Sequence, residues 1–194
     1  MTEVIRYPSG SLRVFAIAGT QLPFPRLMMA LNDWAARRCD AAVLAQTGRD
    51  HARYSHLSAV DFIDQRRFDA CLAEADLVVA HAGMGTILSC AELGKPLVVM
   101  PRLASQAEHR NDHQADTARR MAHLSNVTVA GDAAALGVAL DRLAETRTST
   151  SATPRNPGTD AAAQELILAL RGFIWDREAP ALPVRTGWPR GARA

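Results

Sequence analysis

The 194-residue chain contains no apolar run close to the roughly 20 residues needed to cross a bilayer, so no membrane-spanning segment of its own is expected. Its first residues also lack the basic, apolar and small-residue succession of a secretion leader. Cysteine is scarce. Cys39, Cys71 and Cys90 stand without metal-ligand or redox spacing, which argues against a zinc or dithiol centre and suits buried free thiols in a reducing cytoplasm. Charge of one sign is weak: a formal net charge of +2 and a pI near 8.6, with the basic residues scattered, leave no footprint for nucleic acid. Lysine is almost absent. Lys95 is the single one among 22 basic residues, which together with abundant alanine reads as genomic bias.

What the chain does have is enough apolar residue, 48%, to bury the core of one domain. Short β-branched runs alternate with amphipathic stretches. The pattern predicts strands at 12–18, 41–46, 57–62, 76–80, 97–100 and 126–129, and helices at 24–38, 65–75, 85–93, 113–124 and 132–144. Such alternation implies an α/β fold, a doubly wound parallel sheet of Rossmann-like type with helices on both faces. Leu27, Ala30, Leu31 and Trp34 recur at helical spacing and mark the buried side of the first helix, with Pro23 and Pro25 at its start.

Residues 1–145 therefore read as one domain. The segment 146–160, rich in Ser, Thr, Pro and Gly, reads as a linker. An amphipathic helix follows at 161–175, carrying Leu166, Ile167, Leu170, Phe173, Ile174 and Trp175. The tail, 176–194, is Pro- and Arg-rich and has the composition of a disordered segment. Three seats are open to the helix: its own domain, a partner subunit or, with few basic residues in its favour, a membrane surface.

The densest signal begins at the end of the fourth predicted strand. Asp76-Leu-Val-Val-Ala80 runs into His81-Ala-Gly-Met-Gly-Thr86, where Gly83 and Gly85 open a helix. Glycine lets a bulky anion approach the backbone, and the free N–H groups and dipole of a helix start near Thr86 attract phosphate. At about 1.5–3 kcal/mol for each charge-assisted bond, three or four N–H groups would hold a diphosphate without a metal. The competing reading is a tight turn whose glycines serve only helix–sheet packing. After the next strand, Leu97-Val-Val-Met100, comes a polar loop in which Arg102, His109, Arg110, Asn111, Asp112, His113 and Gln114 crowd together. This is a strand's carboxyl end, where open α/β sheets place their ligands. These donors and acceptors suit sugar hydroxyls and phosphate. Asn111 or Asp112 capping the helix that begins near His113 is the structural alternative, and both can hold.

Together, His81-Ala-Gly-Met-Gly-Thr-Ile, Leu93-Gly-Lys-Pro, Met100-Pro-Arg and Glu108-His-Arg-Asn-Asp-His-Gln resemble the C-terminal, donor-binding domain of family 28 glycosyltransferases, the C-terminal half of a GT-B enzyme. The similarity is greatest to short one-domain subunits. These are the catalytic subunit of the eukaryotic dolichol-linked N-acetylglucosamine transferase and, more closely, bacterial exopolysaccharide subunits that work with a separate membrane-associated partner. Val14-Phe-Ala-Ile-Ala-Gly-Thr-Gln-Leu-Pro-Phe-Pro-Arg-Leu27 resembles the strand, Gly-Thr-Gln turn and Pro-Phe-x-Arg-Leu helix start with which those subunits open. The register runs from about Leu12 to Leu124.

The resemblance implies a UDP-sugar donor and transfer of an unspecified sugar, with inversion, to a lipid-linked saccharide acceptor in exopolysaccharide or glycan biosynthesis. It implies no cofactor and no metal, and the matched region carries no Asp-x-Asp pair. Gly19, Thr20, Gln21, Gly83, Gly85 and Thr86 would line the diphosphate, with His81 and Met84 of the same motif beside them and Arg102 near the leaving group. Asp112, His113 and Gln114 would meet the sugar, with His109 and Asn111 in the same tract. Where many relatives place an acidic residue for the ribose, this chain has Ser89; Glu92 one turn further, or the backbone, would take that role. The base is expected against main chain near Phe62 and Ile63. Arg102 and Arg110 would suit a uronate carboxylate, and equally phosphate or plain solvation.

No catalytic base follows from the resemblance. In two-domain relatives it comes from the other domain. Here it is expected on a membrane-associated partner subunit, which would also carry the acceptor site and hold this chain at the inner face of the membrane. His81, His109 and His113 are candidates because histidine titrates near neutrality. Against them stand packing at a strand end for His81 and contact with the donor sugar for His113. The Ser89 departure also leaves room for a noncatalytic regulatory subunit that binds nucleotide sugar.

Overall fold

The computed structural model describes residues 12–149. Six strands, β1 (Leu12–Ile17), β2 (Ala41–Gln46), β3 (Ser58–Val60), β4 (Leu77–His81), β5 (Leu97–Met100) and β6 (Val127–Val129), form one sheet in the order β3-β2-β1-β4-β5-β6. Every neighbouring pair is parallel. Helices α1 (Pro25–Ala35), α2 (Gln65–Glu74), α3 (Met84–Glu92) and α4 (His113–Met121) lie between strands, and α5 (Ala133–Ser149) follows β6. The expected doubly wound α/β architecture is the one observed.

The central strands are apolar along their whole length because helices cover both faces. On one face Leu27, Leu31 and Trp34 of α1 and Leu136 and Leu140 of α5 pack on Val14, Ala16, Val79 and Val98. On the other, Leu72 of α2, Ile87 and Cys90 of α3 and Ala118 of α4 pack on Phe15, Ile17, Val78 and Val99. The chain thus leaves β1 toward one face and its neighbour β4 toward the other. That divergence opens a crevice at their carboxyl ends, the switch point at which such sheets bind ligands.

A few polar contacts fasten the layers. Trp34 is core, as expected, and its Nε1 donates to Asp141 Oδ1 on α5 at 2.9 Å. Arg13 holds Asp76 through two bonds of 3.0 and 2.9 Å, joining the starts of β1 and β4. Lys95 Nζ donates to the carbonyls of Ala73 and Ala75, closing the last turn of α2. The single lysine therefore has a structural task.

Two elements differ instructively from expectation. Strand β3 covers only Ser58–Val60, because Leu57 N bonds to Tyr54 O in a turn instead of joining the ladder. Helix α5 runs through to Ser149, four residues into the segment expected as linker, with Thr146 Oγ1 bonded back to Arg142 O at 2.8 Å. The rest of that segment, the helix at 161–175 and the tail at 176–194 lie outside the described residues. Of the three thiols only Cys90 is buried; Cys71 is half-buried, and Cys39, in the turn leading to β2, is exposed. Burial pushes the Cys71 thiol up and that of Cys90 to about 12. No described helix is long and apolar enough to cross a membrane.

Candidate functional site

Beyond β1 and β4 the chain turns through Gly19 and Gly83 at the same edge of the sheet. Gly19 has φ +96°, a conformation closed to most L side chains. Gly83 has an ordinary φ of −86°, so its requirement is one of space: a Cβ there would meet His81 Nε2 at 2.5 Å. A Cβ on Gly19 would meet Cε1 of the same ring at 2.9 Å. On the far side of Gly19, a Cβ on Gly48, at the end of β2, would lie 2.3 Å from Gly19 O. The turns after β2, β1 and β4 therefore stack on one another with the His81 ring between the last two.

Gly85 differs, since nothing lies within 4 Å of a Cβ built there. It sits exposed in the first turn of α3. That helix has no side-chain cap, and its first internal bond runs from Ile87 N to Gly83 O at 3.2 Å. The N–H groups of Met84, Gly85 and Thr86 have no partner within the helix. Of the two readings for the paired glycines, packing accounts for Gly83 and open space at a helix start describes Gly85. Thr20 and Gln21 are exposed in the Gly19 turn, and the Thr86 side chain is buried.

His81 is a poor base. Burial pushes its pKa down to about 4; the Ile17 carbonyl, 3.4 Å from Nδ1, opposes the shift, and Arg102 and His109 add to it. At neutral pH the ring is uncharged and too weakly basic to take a proton from a hydroxyl.

Arg102 departs from expectation. It is 3% exposed, and its terminal nitrogens donate to four carbonyls: Pro23 at 2.6 Å, Glu108 at 3.3 Å, Ala18 at 2.8 Å and Leu22 at 2.6 Å. The Phe24 ring lies 4.4 Å from the guanidinium carbon. Each terminal nitrogen has two hydrogens and two acceptors, so both are spent on the backbone and of the five N–H donors only Nε–H is left. Arg102 fixes the Gly19 turn from beneath, and its terminal nitrogens face the backbone.

Beside it lies a frame that sequence reasoning missed. Arg26 grips Glu108 with two bonds of 2.8 Å and also donates to Pro101 O and Gly131 O. Glu108 Oε2 accepts from Leu103 N at 3.0 Å. The start of α1 is thereby tied to the loop after β5. The signal was present in Pro-Phe-x-Arg-Leu and in the glutamate opening the Glu-His-Arg-Asn-Asp-His-Gln tract, two charges too far apart in sequence to be paired by inspection.

The tract itself converges on the start of α4. Gln114 is buried and accepts from Arg102 N at 3.2 Å. Asp112 does not cap α4 with its side chain; its carboxylate accepts from Ala104 N at 2.8 Å, because the loop folds a short 3-10 turn (Ala104–Gln106) against it. Asn111 Oδ1 takes the near side of the helix start, 2.6 Å from His113 Nδ1 and 3.4 Å from His113 N. His113 is exposed, and its ring meets that of His109 edge-on at 4.5 Å between centroids.

His109 Nδ1 is buried with no partner, a state that costs about 1–3 kcal/mol. Replacing His109 by Phe keeps a ring against His113 and removes the stranded nitrogen. The variant is expected to unfold at the same temperature or higher. Thermal unfolding checks it, and a clear fall in Tm would show that the nitrogen finds a partner in solution.

Two further expectations change. Glu92 closes α3, about 12 Å of helix rise from Met84, at the end away from the crevice, so it does not stand where a ribose would lie. The Ile63 N–H, expected to meet the base, already donates to Gln46 Oε1 at 3.1 Å, while Phe62 beside it is 56% exposed. Next to them a cleft of about 590 Å³, lined by Thr47, Asp50, Tyr54 and Asp61 among others, opens at the ends of β2 and β3.

Residues 24–166 match the family model described as the glycosyltransferase family 28 C-terminal domain. One curated relative is the UDP-N-acetylglucosamine--N-acetylmuramyl-(pentapeptide) pyrophosphoryl-undecaprenol N-acetylglucosamine transferase of Sorangium cellulosum (strain So ce56). It is 32% identical over 47% of this chain and 26% of its own length. Among solved structures, the glycotransferase of kitacinnamycin superposes with a TM-score of 0.56 at 23% identity, over 86% of this chain and 40% of that one. The solution structure of ALG13 gives 0.51 at 18% identity, over 81% of this chain and 95% of that one. The two superpositions speak for the fold. The chain spans only 26% of the curated relative and 40% of the kitacinnamycin enzyme. With well over half of its length matched by the family model, this chain belongs to the glycosyltransferase family 28 C-terminal domain family.

Proposed function

We propose that this chain is the donor-binding half of a glycosyltransferase. It holds a UDP-sugar across the crevice between β1 and β4, and the sugar passes with inversion to a lipid-linked saccharide in exopolysaccharide or glycan synthesis. The observation that carries the reading is the uncapped start of α3, with the N–H groups of Met84, Gly85 and Thr86 unpartnered within the helix, at the switch point of the sheet. The Sorangium cellulosum relative supports the classes of donor and acceptor, a UDP-sugar and a pyrophosphoryl-polyprenol.

As the glycosidic bond breaks, negative charge grows on the departing diphosphate. Fixed N–H donors and the α3 dipole stabilise that charge without reorganising. Asp112, His113 and Gln114 stand at the start of α4, on the loop after β5, as contacts for the sugar. The acceptor hydroxyl must lose a proton, and His81 is buried and too weak a base to take it. The base and the acceptor site are assigned to a membrane-associated partner subunit, with exposed His113 as the candidate on this chain.

The test is calorimetric titration with UDP, UDP-glucose, UDP-glucuronate and UDP-N-acetylglucosamine, with and without magnesium. Binding that does not need the metal is expected. Gly85→Leu adds a side chain that leans toward the helix start and improves helix propensity by roughly 0.8 kcal/mol. It should leave Tm unchanged or raised while weakening UDP at least about tenfold, or 1.4 kcal/mol. Unchanged affinity in this variant, or no binding by the wild type, overturns the reading. Ser89, with Glu92 at the wrong end of α3, favours one alternative, a noncatalytic nucleotide-sugar-binding subunit. Transfer by the purified partner that proceeds unchanged without this chain would remove the catalytic role.

A further inference from the structure

We propose that the His81 imidazole is the spacer that sets the distance between the Gly19 and Gly83 turns, and that glycine is required at 83 by this ring and not by a ligand. The steric claim stands by itself. Its consequence for donor binding rests on the reading that the crevice holds the diphosphate.

The ring lies between the two turns, with the same edge in contact with both. Cε1 would be 2.9 Å from a Cβ on Gly19 and 2.8 Å from one on Gly83, and Nε2 would be 3.1 and 2.5 Å away. Real Cβ atoms do not come this close to ring atoms, so the ring occupies the volume that any side chain at either position would need. The ring is not free to swing aside. Nδ1 faces the Ile17 carbonyl at 3.4 Å, and Gly19 is backed in turn by Gly48, where a Cβ would meet Gly19 O at 2.3 Å. Below the Gly19 turn, Arg102 donates to the carbonyls of Ala18 and Leu22. The Gly19 turn is thus held on two sides, and the His81 ring is the third.

The backbone at Gly83, φ −86° and ψ 125°, is open to every residue, so conformation does not explain glycine there. Gly83 is also the N-cap residue of α3. Whatever sets its distance from Gly19 sets how far the Met84, Gly85 and Thr86 N–H groups stand from the opposite turn. A diphosphate bridging the two would bind best at one separation, the one that this ring sets. The charge state agrees with this role: the imidazole is held neutral by burial, with Arg102 and His109 as the charged or titratable groups acting on it.

A double-mutant cycle separates the alternatives. Gly83→Ala, His81→Ala and the double variant are compared with the wild type by urea denaturation and by UDP titration. The expected result is strong coupling. Gly83→Ala lowers the unfolding midpoint with the ring present and has little effect in the His81→Ala background, where the added methyl enters vacated space. Equal effects of Gly83→Ala in both backgrounds overturn the spacer.

Two planar replacements extend the test. His81→Asn keeps an amide N–H where Nδ1 lies but removes the atoms that touch the glycines. His81→Phe keeps a ring of similar thickness and loses both nitrogens. A spacer requires His81→Phe to bind UDP more tightly than His81→Asn and His81→Ala, with the last about tenfold weaker than wild type. The opposite order would make the imidazole a polar contact to the ligand and overturn the proposal. If the wild type fails to bind UDP, the donor reading fails, and the stability cycle still decides the spacer.

Discussion

Glu108→Ala is expected to lower the stability of the domain by about 3–5 kcal/mol, the usual cost of leaving one half of a buried ion pair without the other. The pair is well enclosed, with side-chain exposures of 17% for Arg26 and 8% for Glu108. Its two parallel bonds of 2.8 Å match a planar guanidinium to a planar carboxylate. The surroundings depend on it. Arg26 also holds Pro101 O and Gly131 O, and Glu108 holds Leu103 N, so the alanine variant loosens the start of α1 and the loop after β5 at once. Urea unfolding should show a lower midpoint with an unchanged slope. Arg26→Met combined with Glu108→Leu removes both charges and should cost less than either alanine substitution. A loss below about 1 kcal/mol for Glu108→Ala would mean that water reaches the pair in solution, as it does for surface ion pairs.

That pair also shows where sequence legibility ends. The strands could be read because Val14-Phe-Ala-Ile17, Leu77-Val-Val-Ala80 and Leu97-Val-Val-Met100 are buried on both faces, a requirement that leaves little choice of residue. The crevice could be placed because Gly19 and Gly83 punctuate the ends of two such strands, and the sheet order then makes them neighbours. Direction could not be read. Arginine in a loop of polar residues has the same chemistry whether it faces a ligand or the backbone beneath, and Arg102 faces the backbone. Gly83 and Gly85 look alike as letters, yet only one of them touches a ring. Glu92 is a different case. Six residues beyond Thr86 is about 9 Å of rise in any α-helix, so its distance from the crevice followed from the expected helix itself.

Arg102 carries the second large effect. Arg102→Ala should destabilise the domain by at least about 3 kcal/mol, because the guanidinium satisfies carbonyls of Ala18, Leu22, Pro23 and Glu108 in a site 3% exposed, and alanine leaves them without donors. Arg102→Lys is the more informative variant. An ammonium is a point donor that cannot span acceptors on two sides of a planar fork, so it should keep the fold while loosening the Gly19 turn. If the crevice takes a UDP-sugar, this variant binds UDP-glucuronate and UDP-glucose more weakly by the same factor, since the side chain supports the turn and touches neither sugar. A ratio of affinities unchanged within about twofold is the expected reading of the two titrations, a difference of roughly 0.4 kcal/mol at most. Selective loss of the glucuronate donor would place the guanidinium on its carboxylate. That result would require the Nε–H, or a terminal nitrogen released by the carbonyls of Ala18 and Leu22, to reach the sugar, and in the second case it would make the Gly19 turn a moving part of the site instead of a fixed wall.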